Sequence, residues 1–254
     1  MSRATERFST RADHYRRYRP GYPAAALDLL AARCGLVAGA VVADVGSGTG
    51  ILSEALLERG ARVIGIEPNE PMRRAAEEGL AGEPRFRSVA ATAEATTLPQ
   101  QSVDLWVAAQ AFHWFDAPRA RLEALRVLRP GACAALLWNE HPAEAGAFFG
   151  EYDALLRRHA REYSALAERR ADETGMRAFL GAGMQVARFP NPQTLDYAGL
   201  EGRVLSSSYA PEPGDPEHGP MLEALHALFE RHQQGGGIVF PYETRVYFAQ
   251  LKPR

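Results

Sequence analysis

Seven residues, Asp44-Val45-Gly46-Ser47-Gly48-Thr49-Gly50, join an acidic side chain to three alternating glycines directly after an apolar, β-branched run. Glycines so placed can take positive φ and let bare backbone approach a ligand closely. Glu67 ends the next apolar run, about twenty residues further on, where a carboxylate can accept hydrogen bonds from both hydroxyls of a ribose. The loop differs from two common nucleotide loops. A dinucleotide G-x-G-x-x-G would need glycine where Ile51 stands, and no Gly-Lys-Ser/Thr triplet follows Gly50 to cradle a polyphosphate. The chemistry indicated is the holding of an adenosine-bearing ligand that lacks a polyphosphate.

The elements around the loop must place it at a strand end. Ala40 to Val45 reads as a strand buried on both faces of a parallel sheet, and Ile51 to Gly60 as a helix closed by a C-terminal glycine. A helix from Pro23 to Arg33 precedes them, with proline in its first turn. The alternation continues with strand Arg62–Ile66, helix Glu70–Leu80, strand Phe86–Val89 and strand Val103–Ala108. Helix Pro118–Leu128 follows, with Leu122, Leu125 and Leu128 on one stripe, and then strand Ala132–Trp138, whose tryptophan, like Trp106, reads as a packing residue. Such alternation predicts an α/β fold with right-handed crossovers and a ligand at the carboxyl ends of the strands.

Beyond Glu140 the pattern changes. Phe148, Phe149, Tyr152, Leu155, Leu156, His159 and Tyr163 recur at helical spacing, so residues 141–184 read as a helical insertion between a core of residues 1–140 and a completing segment, 185–254. That segment holds a strand Val186–Phe189, a helix Glu217–His232 and an alternating strand Ile238–Leu251. Pro241 inside the last run predicts an edge strand or a bend.

Composition narrows the partners. A formal net charge of -2 gives no global reason to expect nucleic acid or an anionic membrane. The arginines at 3, 7, 11, 16, 17 and 19 are interleaved with Glu6 and Asp13 and read as a solvated helix face. Cys34 and Cys133 stand in unrelated contexts and suggest neither a disulfide framework nor a metal site. The first twenty residues hold no apolar core of signal-peptide type and no apolar run is long enough to span a bilayer, which points to the cytoplasm.

With the stretches VADVGSGTG, VIGIEPNEPM (Val63–Met72), VAATAEATTLPQQSVDLWVAAQAFHWFD (Val89–Asp116) and RVLRPGACAALLW (Arg126–Trp138), the chain resembles the class I S-adenosylmethionine-dependent methyltransferases. It is most similar to the type 11, ubiquinone/menaquinone-biosynthesis-like group acting on small molecules. YRRYRPGYP (Tyr15–Pro23) and LSSSYAP (Leu205–Pro211) also resemble members of that group. The resemblance implies a Rossmann-like, doubly wound sheet of seven mostly parallel strands with an antiparallel final strand and a helical cap. It implies that Gly46, Gly48 and Gly50 form the platform for S-adenosylmethionine and its product S-adenosylhomocysteine. Asp44 would orient the loop, Glu67, beside Pro68, would hold the ribose, and Gln110 would lie near the sulfonium. Met72 serves either the adenine or the core. Where many relatives carry a carboxylate for the adenine amine this chain has Thr92, leaving its hydroxyl, the Ala93 amide or Glu94 to make the contact.

A sulfonium methyl is already activated, so the protein has chiefly to align an acceptor and exclude water. Tyr15, Tyr18, Arg19, Tyr22, Trp114 and His141 are candidates for the acceptor side or lid, the tyrosines equally for packing at a helix edge. If the acceptor is a hydroxyl, His113 is the first candidate for a general base and His141 the second. Gln110-Ala111-Phe112-His113 replaces the Asn/Asp-Pro-Pro-aromatic motif of nucleic-acid amino methylation, no glutamate pair suits a guanidinium, and Asp116, Asn139 and Glu140 make no convincing metal cluster. A small organic acceptor is therefore expected, without nucleic acid, membrane or metal. A protein of the same fold that binds the cofactor without turnover is the alternative.

Overall fold

The computed structural model describes residues 17–142, 146–160, 163, 173–207 and 209–252. Its main sheet has seven strands in the order β3-β2-β1-β4-β5-β9-β6. They are β1 (Val41–Val45), β2 (Arg62–Ile66), β3 (Phe86–Val89), β4 (Val103–Ala109), β5 (Leu128–Glu140), β6 (Gln185–Pro190) and β9 (Glu243–Gln250). β1 to β5 run parallel, and β9 is antiparallel to both of its neighbours. The first strand sits centrally, with Asp44 opposite Gly65 on one side and Val107 on the other. That position explains its unbroken apolar sequence, since both faces are covered.

Two helices, α1 (Ala24–Cys34) and α2 (Ile51–Glu58), cover one face through Leu27, Leu30, Leu52 and Leu56. The other face is covered by α4 (Ala117–Val127) and α6 (Glu173–Leu180) through Ala120, Ala124, Val127, Met176 and Phe179. The leucine stripe expected on α4 holds only in part: Leu125 packs against the core and Leu128 is buried as the first residue of β5, but Leu122 is 69% exposed, and the small Ala120 and Ala124 let the helix lie close to the sheet. Each fully buried aliphatic side chain on these faces contributes about 1.5–3 kcal/mol. Cys34 and Cys133, far apart in sequence, meet as buried free thiols where α1 crosses β5.

Side-chain caps start two of the helices that follow the site strands. Asn69 Oδ1 accepts from the Met72 amide at 3.0 Å to open α3 (Glu70–Gly79), and Asp116 Oδ1 accepts from the Arg119 amide at 3.2 Å to open α4. Each helix also has a proline in its first turn.

A third apolar cluster stands beyond the sheet. It joins α5 (Gly146–His159), α7 (Tyr197–Leu205), α8 (His218–His232) and a two-stranded sheet of β7 (Gln193–Leu195) and β8 (Ile238–Phe240). It draws on residues either side of position 184, whereas α6 packs on the main sheet instead. The single strand expected over Ile238–Leu251 is two strands. Pro241 lies in the joint between them, where its missing N–H costs no ladder bond. The bend is as expected, but β9 is an interior strand and β6 the edge.

Candidate active site

The glycine loop leaves β1 with all three glycines left-handed, at φ 69°, 55° and 85° for Gly46, Gly48 and Gly50. A Cβ on Gly46 would fall 2.5 Å from the Ala111 methyl, while one on Gly48 would enter open space whose nearest atom is Met72 Cε at 3.9 Å. Gly46 is therefore required by protein packing, and Gly48 forms a cradle that bare backbone offers to a ligand. The buried Glu67 braces this cradle: Oε2 accepts from the Gly48 amide at 2.9 Å and Oε1 from the Asn69 amide at 2.8 Å. Burial raises its carboxyl pKa against the lowering effect of those two bonds.

Asp44 is fully buried. Its Oδ2 accepts from Ser53 Oγ at 2.7 Å, and its Oδ1 is buried with no partner among the described residues. Burial pushes its carboxyl up to about 7, and the nearby Glu67 charge adds to the rise. An orphaned carboxylate oxygen at a glycine cradle fits a ligand with a cationic donor, as the methionine end of S-adenosylmethionine has.

Asp44, Gly46, Gly48 and Met72 line a cleft of about 320 Å³, together with Arg19, Tyr22, Gln110, Trp114 and His141. Gln110 holds a left-handed φ of 55°, rare for a side-chain-bearing residue, and its Nε2 donates to the Asn139 carbonyl at 3.1 Å. His141 places Nδ1 at 2.9 Å from the Pro241 carbonyl, which can only accept, so Nδ1 carries the proton and Nε2 is the basic nitrogen of the neutral ring.

Other expected residues stand elsewhere. His113 does not line the cleft; its ring lies 4.5 Å from that of Trp114 and 5.3 Å from that of Trp138. Gly50, Glu67, Pro68, Thr92, Ala93 and Glu94 are also outside the lining: Gly50 faces Ala76 and Leu80, Glu67 reaches the cleft only through the Gly48 amide, and Glu94 Oε1 accepts from the Asp116 amide at 2.8 Å, holding the start of α4. Tyr18 packs against Gly202 rather than facing the cleft. Tyr15 lies outside the described residues.

Sequence reasoning missed Arg203, Tyr242, Tyr163 and Trp138, all of which line the cleft. Trp138, read as a packing residue, is 2% exposed yet forms part of the wall. One available signal was the pair of motifs YRRYRPGYP and LSSSYAP. They meet in space: Arg19 Nε donates to Ser206 Oγ at 3.0 Å and its Nη2 to Ser207 Oγ at 3.1 Å.

Comparison with known proteins agrees with the fold. Residues 43–136 match the methyltransferase domain family. An uncharacterized methyltransferase of Mycobacterium tuberculosis is 38% identical over 139 residues, 55% of this chain and 54% of that one. The chain thus spans about half the length of the first curated relatives it matches. An uncharacterized methyltransferase-like protein of Schizosaccharomyces pombe is 23% identical across 97% of this chain and 96% of its own. Among solved structures, one described as a type II methyltransferase from Anaeromyxobacter dehalogenans superposes with a TM-score of 0.65 at 26% identity, covering 93% of this chain and all of that one. Residues 43–136 thus match a methyltransferase domain, and they lie within a seven-stranded sheet whose fold is shared with a solved methyltransferase structure.

Proposed function

We propose that the protein moves the methyl group of S-adenosylmethionine to a small organic acceptor by direct in-line displacement. The observation that carries the reading is the Gly48–Glu67–Asp44 arrangement, an open cradle braced by one buried carboxylate and flanked by a second with an orphaned oxygen. When bound, the cofactor supplies a methyl on a positive sulfur; the acceptor's lone pair forms the new bond as the S–C pair returns to sulfur.

The chain's own residues do the rest. Each oxygen of Glu67 accepts one backbone bond and keeps a second lone pair for a ribose hydroxyl. Asp44 Oδ1 accepts from the ligand's ammonium group, and the ionised form of Asp44 is the one that binds it. Met72 closes the cradle from the first turn of α3, and Gln110, fixed on the Asn139 carbonyl, marks the junction between cofactor and acceptor. Trp114, Trp138 and Tyr163 wall the cleft and exclude water. Where the acceptor atom carries a proton, His141 Nε2, rather than His113, receives it. The insertion over 141–184 contributes to the lid through α5 and Tyr163.

Isothermal titration with S-adenosylmethionine, S-adenosylhomocysteine and NAD, using Glu67→Ala as control, tests the binding half. Micromolar binding of the first two, lost in the variant, is expected. Binding of NAD alone, or of none, would overturn it. Turnover with an acceptor then separates an enzyme from a protein that only binds the cofactor.

A further inference from the structure

The acceptor half of the cleft carries a charge pattern that methyl transfer does not require. Arg203 is 4% exposed on α7 and lines the cleft. Its Nε donates to the Tyr242 hydroxyl at 2.5 Å and its Nη1 to Ser207 Oγ at 3.3 Å, while its guanidinium carbon sits 5.7 Å and 5.6 Å from the ring centres of Phe240 and Tyr242. Ser207 Oγ also accepts from Arg19 Nη2 at 3.1 Å, so two guanidinium groups flank one hydroxyl oxygen. Among the described residues, no carboxylate hydrogen-bonds or ion-pairs with Arg203; its electrostatic partners are the hydroxyls of Tyr242, Tyr152 and Tyr209. A buried cation is ordinarily paired, because desolvation without a counter-charge is costly.

The cleft wall also holds the indole of Trp138, whose buried N–H has no partner among the described residues; the Tyr152 hydroxyl, likewise unpartnered among them, lies outside the lining. Glu140, the acidic side chain at this end of the lining, is taken by Arg245 Nη1 at 2.7 Å. A planar guanidinium whose bonded neighbours among the described residues are neutral hydroxyls, with no carboxylate to neutralise it, is complementary to a planar anion with several acceptor lone pairs.

We propose that Arg203, with Arg19, is the receptor for a carboxylate on the methyl acceptor, so that the substrate is a small, flat carboxylic acid. This rests on the methyltransferase reading above. A carboxylate is also present on the methionine end of the cofactor. The acceptor is favoured because Arg203 belongs to the third apolar cluster, among Tyr242 and Phe240, whereas the glycine loop and its acidic partners come from the sheet. Arg203 acts here in recognition, and the methylated atom is any nucleophile the held acid presents.

The test is calorimetry on the full chain saturated with S-adenosylhomocysteine, titrating benzoate, cinnamate and fumarate against benzamide, cinnamamide and fumaramide. Wild type is expected to prefer an acid over its amide, and Arg203→Gln to weaken that acid about 10- to 100-fold while binding S-adenosylhomocysteine unchanged. Trp138→Phe, which removes one N–H and keeps an aromatic ring, should weaken the same acid by a smaller factor and guards against a folding defect in the arginine variant. If Arg203→Gln instead weakens S-adenosylhomocysteine but not 5′-methylthioadenosine, which lacks the amino-acid tail, the carboxylate is the cofactor's and the proposal falls. Equal binding of acids and amides also overturns it. Failure of wild type to bind S-adenosylhomocysteine would defeat the underlying reading itself, a result that the cofactor titration reports separately.

Discussion

The ring of Tyr18 lies so close over Gly202 that a methyl group added to the glycine would overlap it. Gly202 is inside α7, where glycine costs about 1 kcal/mol relative to alanine. The contact explains why the residue is there: it seats the segment preceding Arg19 on the helix that carries Arg203. Gly202→Ala is therefore expected to destabilise the fold by about 1–3 kcal/mol through overpacking, despite its better helix propensity. Urea unfolding decides between the two effects, since an increase in stability would show that Tyr18 moves aside at little cost.

The glycine cradle gives a second expectation. Gly48→Val forces a β-branched residue to φ 55° and fills the space beside Met72, so S-adenosylhomocysteine binding should disappear. Glu67→Ala leaves the Gly48 and Asn69 amides without their acceptor and removes the ribose contact, weakening binding by about 1.5–3 kcal/mol. Unchanged affinity by calorimetry in either variant would move the nucleoside away from this loop.

Asp44 should make stability and affinity depend on pH in opposite directions. Its carboxyl titrates near 7 in the fold against an ordinary value of 3.8, so the native state holds a proton that the unfolded chain has released. This stabilisation is complete below about pH 4 and is lost as pH rises towards 7, by on the order of 4 kcal/mol in full. Glu67 is raised by burial too, so Asp44→Asn should remove much but not all of the slope. A cationic ligand selects the ionised carboxylate, and S-adenosylmethionine should bind more tightly at pH 8 than at pH 6. Urea midpoints and titrations at those two pH values check both signs.

The two histidines should separate cleanly. With a hydroxyl acceptor, His141→Ala is expected to lower kcat by about a hundredfold. His113→Ala, which removes a ring packed on Trp114 and Trp138, should cost stability more than rate. The reverse pattern in kcat and thermal midpoint would return the base to His113.

The half proposed to hold the cofactor was legible because its signals are local. An apolar strand, alternating glycines and a carboxylate at the next strand end occupy one short stretch, and the sheet then fixes their geometry. The acceptor half was not, because its residues come from elements that only long-range packing assembles. Arg203 lies on a short helix holding Gly199 and Gly202, whose sequence carries little periodic signal, and Tyr242 follows the proline that divides two strands. Trp138 was hidden by its apolar run, which suggested core on both faces although the strand end opens on the cleft. Thr92 to Glu94 follow the expected order in sequence, but Glu94 is engaged with the helix start at Asp116.

The division of one chain run at Pro241 makes the third cluster and the main sheet mechanically continuous. Phe240 is anchored in the small sheet, Tyr242 borders the cleft, and the following residue begins the strand held between β5 and β6. A molecule seated against Tyr242 therefore loads the sheet end-on, with no flexible tether in between. Its arrival should slow amide exchange along β9 before it is felt at the distant edge strand β3, making a central strand the reporter of what the roof has caught.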